Sequence, residues 1–125
     1  MTPTDRGNDG PDPLGDDPTT LALYEAVRAA IEDLGETEAH VSKSQIGFRR
    51  DREFAAVWRP GRYLQGEQAP LVLSVFMAHE DAWSRWKQVI EPAPGRFTHH
   101  VELRHLDEVD SELRARLREA WAEAG

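Results

Sequence analysis

The sequence predicts an α+β fold: an antiparallel or mixed sheet of about four to five strands, with an N-terminal, a short middle and a C-terminal helix packed mainly on one face. Two observations carry this expectation. Apolar residues recur at three- and four-residue steps near both ends of the chain, and between those ends lie short alternating or continuous apolar runs. Strands and helices also fall in blocks rather than in strict βαβ alternation, which favours helices gathered on one side of the sheet.

The first helix follows from Leu21, Tyr24, Val27, Ile31 and Leu34, with Glu25, Arg28, Glu32 and Asp33 on the other side. Thr19 or Thr20 is expected to cap it, and Gly35 to stop it. A short extended segment near Ala39–Val41 leads to a strand at Gln45–Arg50, a turn at Asp51-Arg52 and a return strand at Glu53–Arg59. In that return strand Phe54, Ala56 and Trp58 should face one way, Ala55 and Val57 the other. After a polar loop at 61–69, Leu71–Ala78 is apolar enough for the sheet centre. Asp81–Glu91 is expected to be a short helix with Trp83, Trp86, Val89 and Ile90 inward, broken by Pro92 and Pro94. Phe97, His99, Val101 and Leu103 alternate with polar residues in a last strand. A closing helix from Asp107 or Asp110 onward carries Leu113, Leu117, Ala120 and Trp121.

At 125 residues the chain fits one domain, and it has no cysteine, which excludes disulfides, zinc–thiolate sites and thiol nucleophiles. No apolar run nears the ~20 residues of a membrane helix. The first residues lack the basic-then-apolar order of a signal peptide, so a cytoplasmic location is the expectation. Residues 1–18 hold five Asp and one Arg among prolines and glycines, and are expected to be a disordered acidic tail before a single domain at 19–125.

The formal net charge is −8, yet residues 43–62 hold six Lys/Arg against two acids, a local excess of about +4. Such a basic hairpin can meet an anionic partner. The run Leu23-Tyr-Glu-Ala-Val, then Lys43-Ser-Gln-Ile-Gly-Phe-Arg-Arg and Phe54-Ala-Ala-Val-Trp, resembles a family of small bacterial domains known as domain of unknown function 5655. His99-His-Val-Glu-Leu-Arg104, Asp107-Glu-Val-Asp and Leu117-Arg-Glu-Ala-Trp121 fit it too, and the likeness spans residues 20–125. It implies an α+β fold and brings no activity and no catalytic residues. Related domains also end larger proteins labelled as transport proteins, some with nuclease-like N-terminal regions.

Lys43, Arg50, Arg62, Trp58 and His100 are the candidate ligand-binding residues, for an anionic small molecule or nucleic acid on the hairpin face. Trp86 with Trp58, Arg85, Lys87 and Arg96 offers an aromatic and cationic lining for a planar anion. No residue is assigned a catalytic or metal-binding role, no cofactor is expected, and no membrane partner. The dipeptide His99-His100 points to opposite faces of a strand, so the two rings do not share an ion. His100 and Glu102 share a face but supply two of the three or four ligands that zinc takes. That pair, as part of a metal-dependent hydrolase or nuclease accessory, is the alternative to a binding module, and pairing through a sheet edge is the third; the oligomeric state stays open.

Overall fold

Asp17 starts the first helix. Its carboxylate accepts from the Thr20 N–H at 3.0 Å, and Pro18 takes the first helical position, where no N–H is needed. The cap is therefore two or three residues earlier than Thr19 or Thr20. The computed structural model describes residues 13–60 and 68–125. The described residues form α1 (Pro18–Glu32), β1 (Glu38–Val41), β2 (Ile46–Arg49), β3 (Glu53–Trp58), β4 (Leu71–Met77), β5 (Gln88–Ala93), β6 (Arg96–Leu103), a 3-10 turn (Leu106–Glu108) and α2 (Ser111–Glu123). Most of the acidic tail lies outside the described residues. Leu14, inside the segment read as tail, is 1% exposed and joins the core.

The six strands form one sheet in the order β1-β2-β3-β4-β6-β5, every neighbouring pair antiparallel. The α+β class holds, with six strands rather than four or five and two α-helices rather than three. Leu71, Leu73, Val75 and Met77 of β4 share one face with Ala55 and Val57 of β3 and Val101 and Leu103 of β6. Leu23, Val27 and Ile31 of α1 and Leu113, Leu117 and Ala120 of α2 pack on that face. Among the described residues no helix covers the other face, and no helix is long and apolar enough to cross a membrane.

Two expectations are corrected. The segment expected as a middle helix is an irregular stretch followed by β5, which pairs with β6 as a hairpin. Trp83, Trp86, Val89 and Ile90 copy a helical period, but Val89 and Ile90 are β-branched and fit a pleated strand. Pro92 does not break the element: it sits in an edge strand, where a missing N–H costs no ladder bond. Trp83 and Trp86 still turn inward, stacked edge to face at 4.9 Å between ring centres. Asp81 holds them by accepting from the Trp83 N–H at 3.2 Å and the Trp86 indole N–H at 2.9 Å. Burial pushes the Asp81 carboxyl up, but these bonds and nearby Arg116 outweigh it and hold it below the ordinary value.

The second correction concerns β3. Its register against β2 shifts between Phe48 and Arg49, so that Phe48 faces Ala55 and Arg49 faces Glu53. Phe54 is the extra residue of this bulge. It is fully buried in the same cluster as Ala55 and Val57, instead of sharing a face with Ala56 and Trp58.

The basic turn after β2 caps the end of α2. The N–H groups of Asp51 and Arg52 both donate to the Ala124 carbonyl, at 3.0 and 3.1 Å. Arg50 donates to the Trp121 carbonyl at 3.2 Å and lies 3.8 Å above the Trp121 ring, and the Arg52 guanidinium bonds the Glu123 carbonyl. Cations at a helix C-terminus satisfy its free carbonyls and oppose its negative end. Trp121 carries the link onward by donating to the Glu36 carbonyl at 3.1 Å. Gly35, with φ of 138°, passes so close that an added Cβ would stand 2.8 Å from the Trp121 ring. We expect Arg50→Ala to cost about 1 kcal/mol through loss of the stacked cation and the carbonyl bond. Arg50→Lys should recover only part of it. Urea midpoints measure both, and an unchanged midpoint in Arg50→Ala would show that turn and helix do not lean on each other.

Candidate functional site

The antiparallel registers line up a row of residues across the helix-free face: His40, Gly47, Ala56, Ser74, His100 and Gln88, one from each strand in spatial order. Its middle is made of small side chains. Trp58 stands on one side of the row, and Phe76 and Glu53 on the other, as the alternation of β3 and β4 and the bulge dictate.

Trp58, Ser74 and His100 form a connected group at the centre. The Trp58 indole N–H donates to Ser74 Oγ at 3.0 Å, and Ser74 Oγ lies 2.8 Å from His100 Nδ1. The Trp58 and His100 rings meet edge to face at 5.9 Å. Ser74 is 3% exposed, so its hydroxyl needs both partners. In one tautomer Ser74 donates to Nδ1, and in the other Nδ1 donates to Ser74. Both leave His100 Nε2 without a hydrogen-bond partner among the described residues. Burial, and then the neighbouring His99, push the His100 pKa below its usual value, which favours the neutral ring.

His99 has the opposite fate. Its ring is fully buried on the helix side, accepting the Asp81 N–H at Nε2 (2.9 Å), with Nδ1 3.1 Å from the Val75 carbonyl to which it donates. It is the satisfied core histidine that its strand position predicts. Trp86 packs on His99 at 5.0 Å, so Trp86 and Trp58 lie on opposite sides of the sheet and line no common pocket.

Beside His100 on the open face, Glu102 is clamped by Lys87 at 2.9 Å and Arg104 at 3.3 Å. The Lys87 hydrogen bond, against the opposing effect of burial, holds its carboxyl below the ordinary range. Among the described residues no third His, Asp or Glu joins His100 and Glu102 within coordinating reach. The metal-hydrolase arrangement of that pair is therefore not assembled here.

Toward the β2–β3 turn the face opens into a cleft of about 530 Å³ lined by His40, Gly47, Arg49, Arg52, Glu53 and Arg96. A second groove of about 490 Å³ shares Arg52, Glu53 and Arg96 and continues past Phe76 and Thr98 to the end of α2. Arg49 donates to the Asp51 carbonyl at 3.0 Å, while Arg96 has no hydrogen bond or ion pair among the described residues. The Glu53 carboxylate rests against Gly47, where any Cβ would collide with it. Three guanidiniums and one carboxylate thus share the cleft.

Of the residues singled out from the sequence, Trp58 and His100 come together. Lys43 and Arg50 lie beyond opposite ends of β2, Lys43 exposed in the Ser42–Gln45 turn and Arg50 committed to Trp121. Arg62 lies outside the described residues. Sequence reasoning missed Ser74 as a member of the face, and grouped Arg96 with Trp58 and Trp86 rather than with Arg49 and Arg52, which it joins in the cleft. Ser74 is a lone polar residue inside an apolar strand, and that interruption was the signal available.

His100 binds its proton more weakly folded than unfolded. Its contribution to stability is therefore complete above the unfolded value near 6.5, and is lost as pH falls below it. Asp81, Glu102 and Asp110 are held below the carboxylate range, so their contributions fade only at more acid pH. We expect the melting temperature to fall between pH 7.5 and 5.5, and His100→Gln to flatten that slope. Equal slopes in the two proteins would remove His100 as the cause.

No curated protein and no solved structure matches the chain. A family profile described as "Domain of unknown function (DUF5655)" matches residues 13–124, which takes in Leu14, the whole sheet and both helices. With that span covered, the chain belongs to the DUF5655 family.

Proposed function

We propose that this protein is a binding module that takes an anionic ligand, a short single-stranded nucleic acid, on its helix-free sheet face. The observation that carries the reading is the cleft in which, among the described residues, Arg49, Arg52 and Arg96 meet one carboxylate, Glu53, and which adjoins a groove lined by Phe76. Guanidiniums bind phosphates, and Trp58, Phe76 and His100 on adjacent strands offer rings beside them. From Glu53 to Trp58 the strand runs roughly 15 Å, beyond one mononucleotide and within a short single strand. Lys43, exposed near the Trp58 end, extends the cationic track. The basic turn itself is a poorer ligand site than the face beside it, because Arg50 is spent on α2.

Fluorescence anisotropy with labelled oligothymidylate tests this. Binding should weaken with salt, and Arg96→Ala should weaken it further and lower the salt slope by about 1. Trp58→Ala should reduce affinity with the salt slope kept. No binding at 50 mM salt, or an unaffected Arg96→Ala, would end the reading.

A second reading rests on β1. All four of its residues are exposed, Val41 to 58%, and it forms one edge of the sheet. Such an edge can pair with another strand. Light scattering at micromolar concentration should then give a doubled mass, and Val41→Lys should restore the single one.

A further inference from the structure

On the helix side of the molecule, a separate group of side chains gathers where β4 ends beside the last turns of α2. His79 follows β4 by two residues and Asp81 by four, while Glu119 and Glu123 are one turn apart on α2. One donor atom each from His79, Asp81 and Glu119 lie within 4.8 Å of one another. His79 Nε2 is 3.0 Å from a Glu119 oxygen, and His79 Nδ1 is 3.1 Å from a Glu123 oxygen.

The two contacts of the imidazole are not equivalent. Glu123 is itself held, because its other oxygen accepts the Ala78 N–H at 2.9 Å. Nδ1–H donating to Glu123 fixes the ring and turns the Nε2 lone pair toward Glu119 and Asp81. The 3.0 Å contact between Nε2 and Glu119 is a distance that a shared proton spans, and one that opens only slightly for both atoms to ligate one ion. Asp81 is preset as well: one of its oxygens takes the bonds from Trp83, Trp86 and Arg116, and the other has none among the described residues.

We propose that His79, Asp81 and Glu119 bind a divalent cation, zinc by ligand type, with Glu123 as the carboxylate that orients the histidine. An imidazole with two carboxylates suits zinc better than magnesium or calcium, which favour all-oxygen shells. Around zinc at about 2.0–2.1 Å, neighbouring ligand atoms stand roughly 3.3 Å apart, so small side-chain movements complete the site. Water takes the fourth position, since His79 and Glu119 are each close to half exposed. A histidine backed by a second carboxylate is the usual support of a zinc ligand. The ion would fasten the end of β4 to α2, at the same helix end that the basic turn caps.

Isothermal titration of the full chain with zinc chloride at pH 7.5, in a non-coordinating buffer, tests the proposal. One ion per chain should bind, and 100 μM zinc should raise the melting temperature by about 5 °C. His79→Ala should abolish both effects while melting near wild type without zinc. Glu123→Gln should weaken binding about tenfold. Magnesium at the same concentration should leave the melting temperature unchanged. Absence of heat and shift with zinc, or equal zinc affinity in His79→Ala, overturns the site. Should His79→Ala fail to fold, Glu119→Gln replaces it, and an unaltered affinity there overturns it equally.

Discussion

Two helices on one face of a six-stranded sheet set the terms for everything else in this protein. Five interstrand spacings of about 4.8 Å make the sheet roughly 24 Å wide, while two packed helices cover about 20 Å. The helices seat over the central strands, where Leu71, Leu73 and Val75 are fully buried. β1 falls beyond their reach and is exposed throughout, although Ala39 and Val41 pair with buried Phe48 and Ile46. On the β6 side the Trp83–Trp86 stretch fills what a third helix would have covered, roofing His99 and bonding to the start of α2 through Glu112. Among the described residues no helix covers the opposite face, and its polar groups meet one another, solvent or a ligand.

The strand period of two turns that one-sidedness into chemistry. His99 and His100 are chain neighbours, yet one is a core residue bonded to backbone on both nitrogens and the other stands on the open face with Nε2 free among the described residues. Ser74 is the matching case in β4: its neighbours Leu73 and Val75 are core, and its hydroxyl joins Trp58 to His100. The bulge in β3 acts in the same way. It rotates Phe54 into the core, where an unbroken strand would have placed it outward, and leaves Glu53 facing Arg49 over the bare backbone of Gly47. One inserted residue thus completes the core and shapes the floor of the arginine cleft.

The basic hairpin serves two ends. Arg50 and the backbone around it close the C-terminus of α2, with favourable charge placed against the helix dipole. Arg52 does both jobs, bonding the Glu123 carbonyl while lining the cleft with Arg49 and Arg96. A locally positive segment in an acidic chain is therefore partly a structural device. Of its other cations, Arg49 and Arg52 share a cleft with Arg96, which is far away in sequence and is delivered beside them by β6.

By itself the sequence determined the elements whose periodicity is strong: α1, α2, the two central strands and the alternating β6, together with the burial of His99 and the outward turn of His100. These follow from local period and capping, which neighbouring residues settle. It left open what depends on partners distant along the chain. Trp83, Trp86, Val89 and Ile90 copy a helical period, and only pairing with β6 makes Val89 and Ile90 part of a strand, with Trp83 and Trp86 in the irregular stretch before it. The same holds for the site: Trp58, Ser74 and His100 are separated by 16 and 26 residues, and cross-strand register is what brings them within hydrogen-bond distance. Arg50 and Lys43 look alike in sequence, and tertiary structure gave one to a helix end and left the other in solvent, because a carbonyl-rich helix terminus arrives beside only one of them.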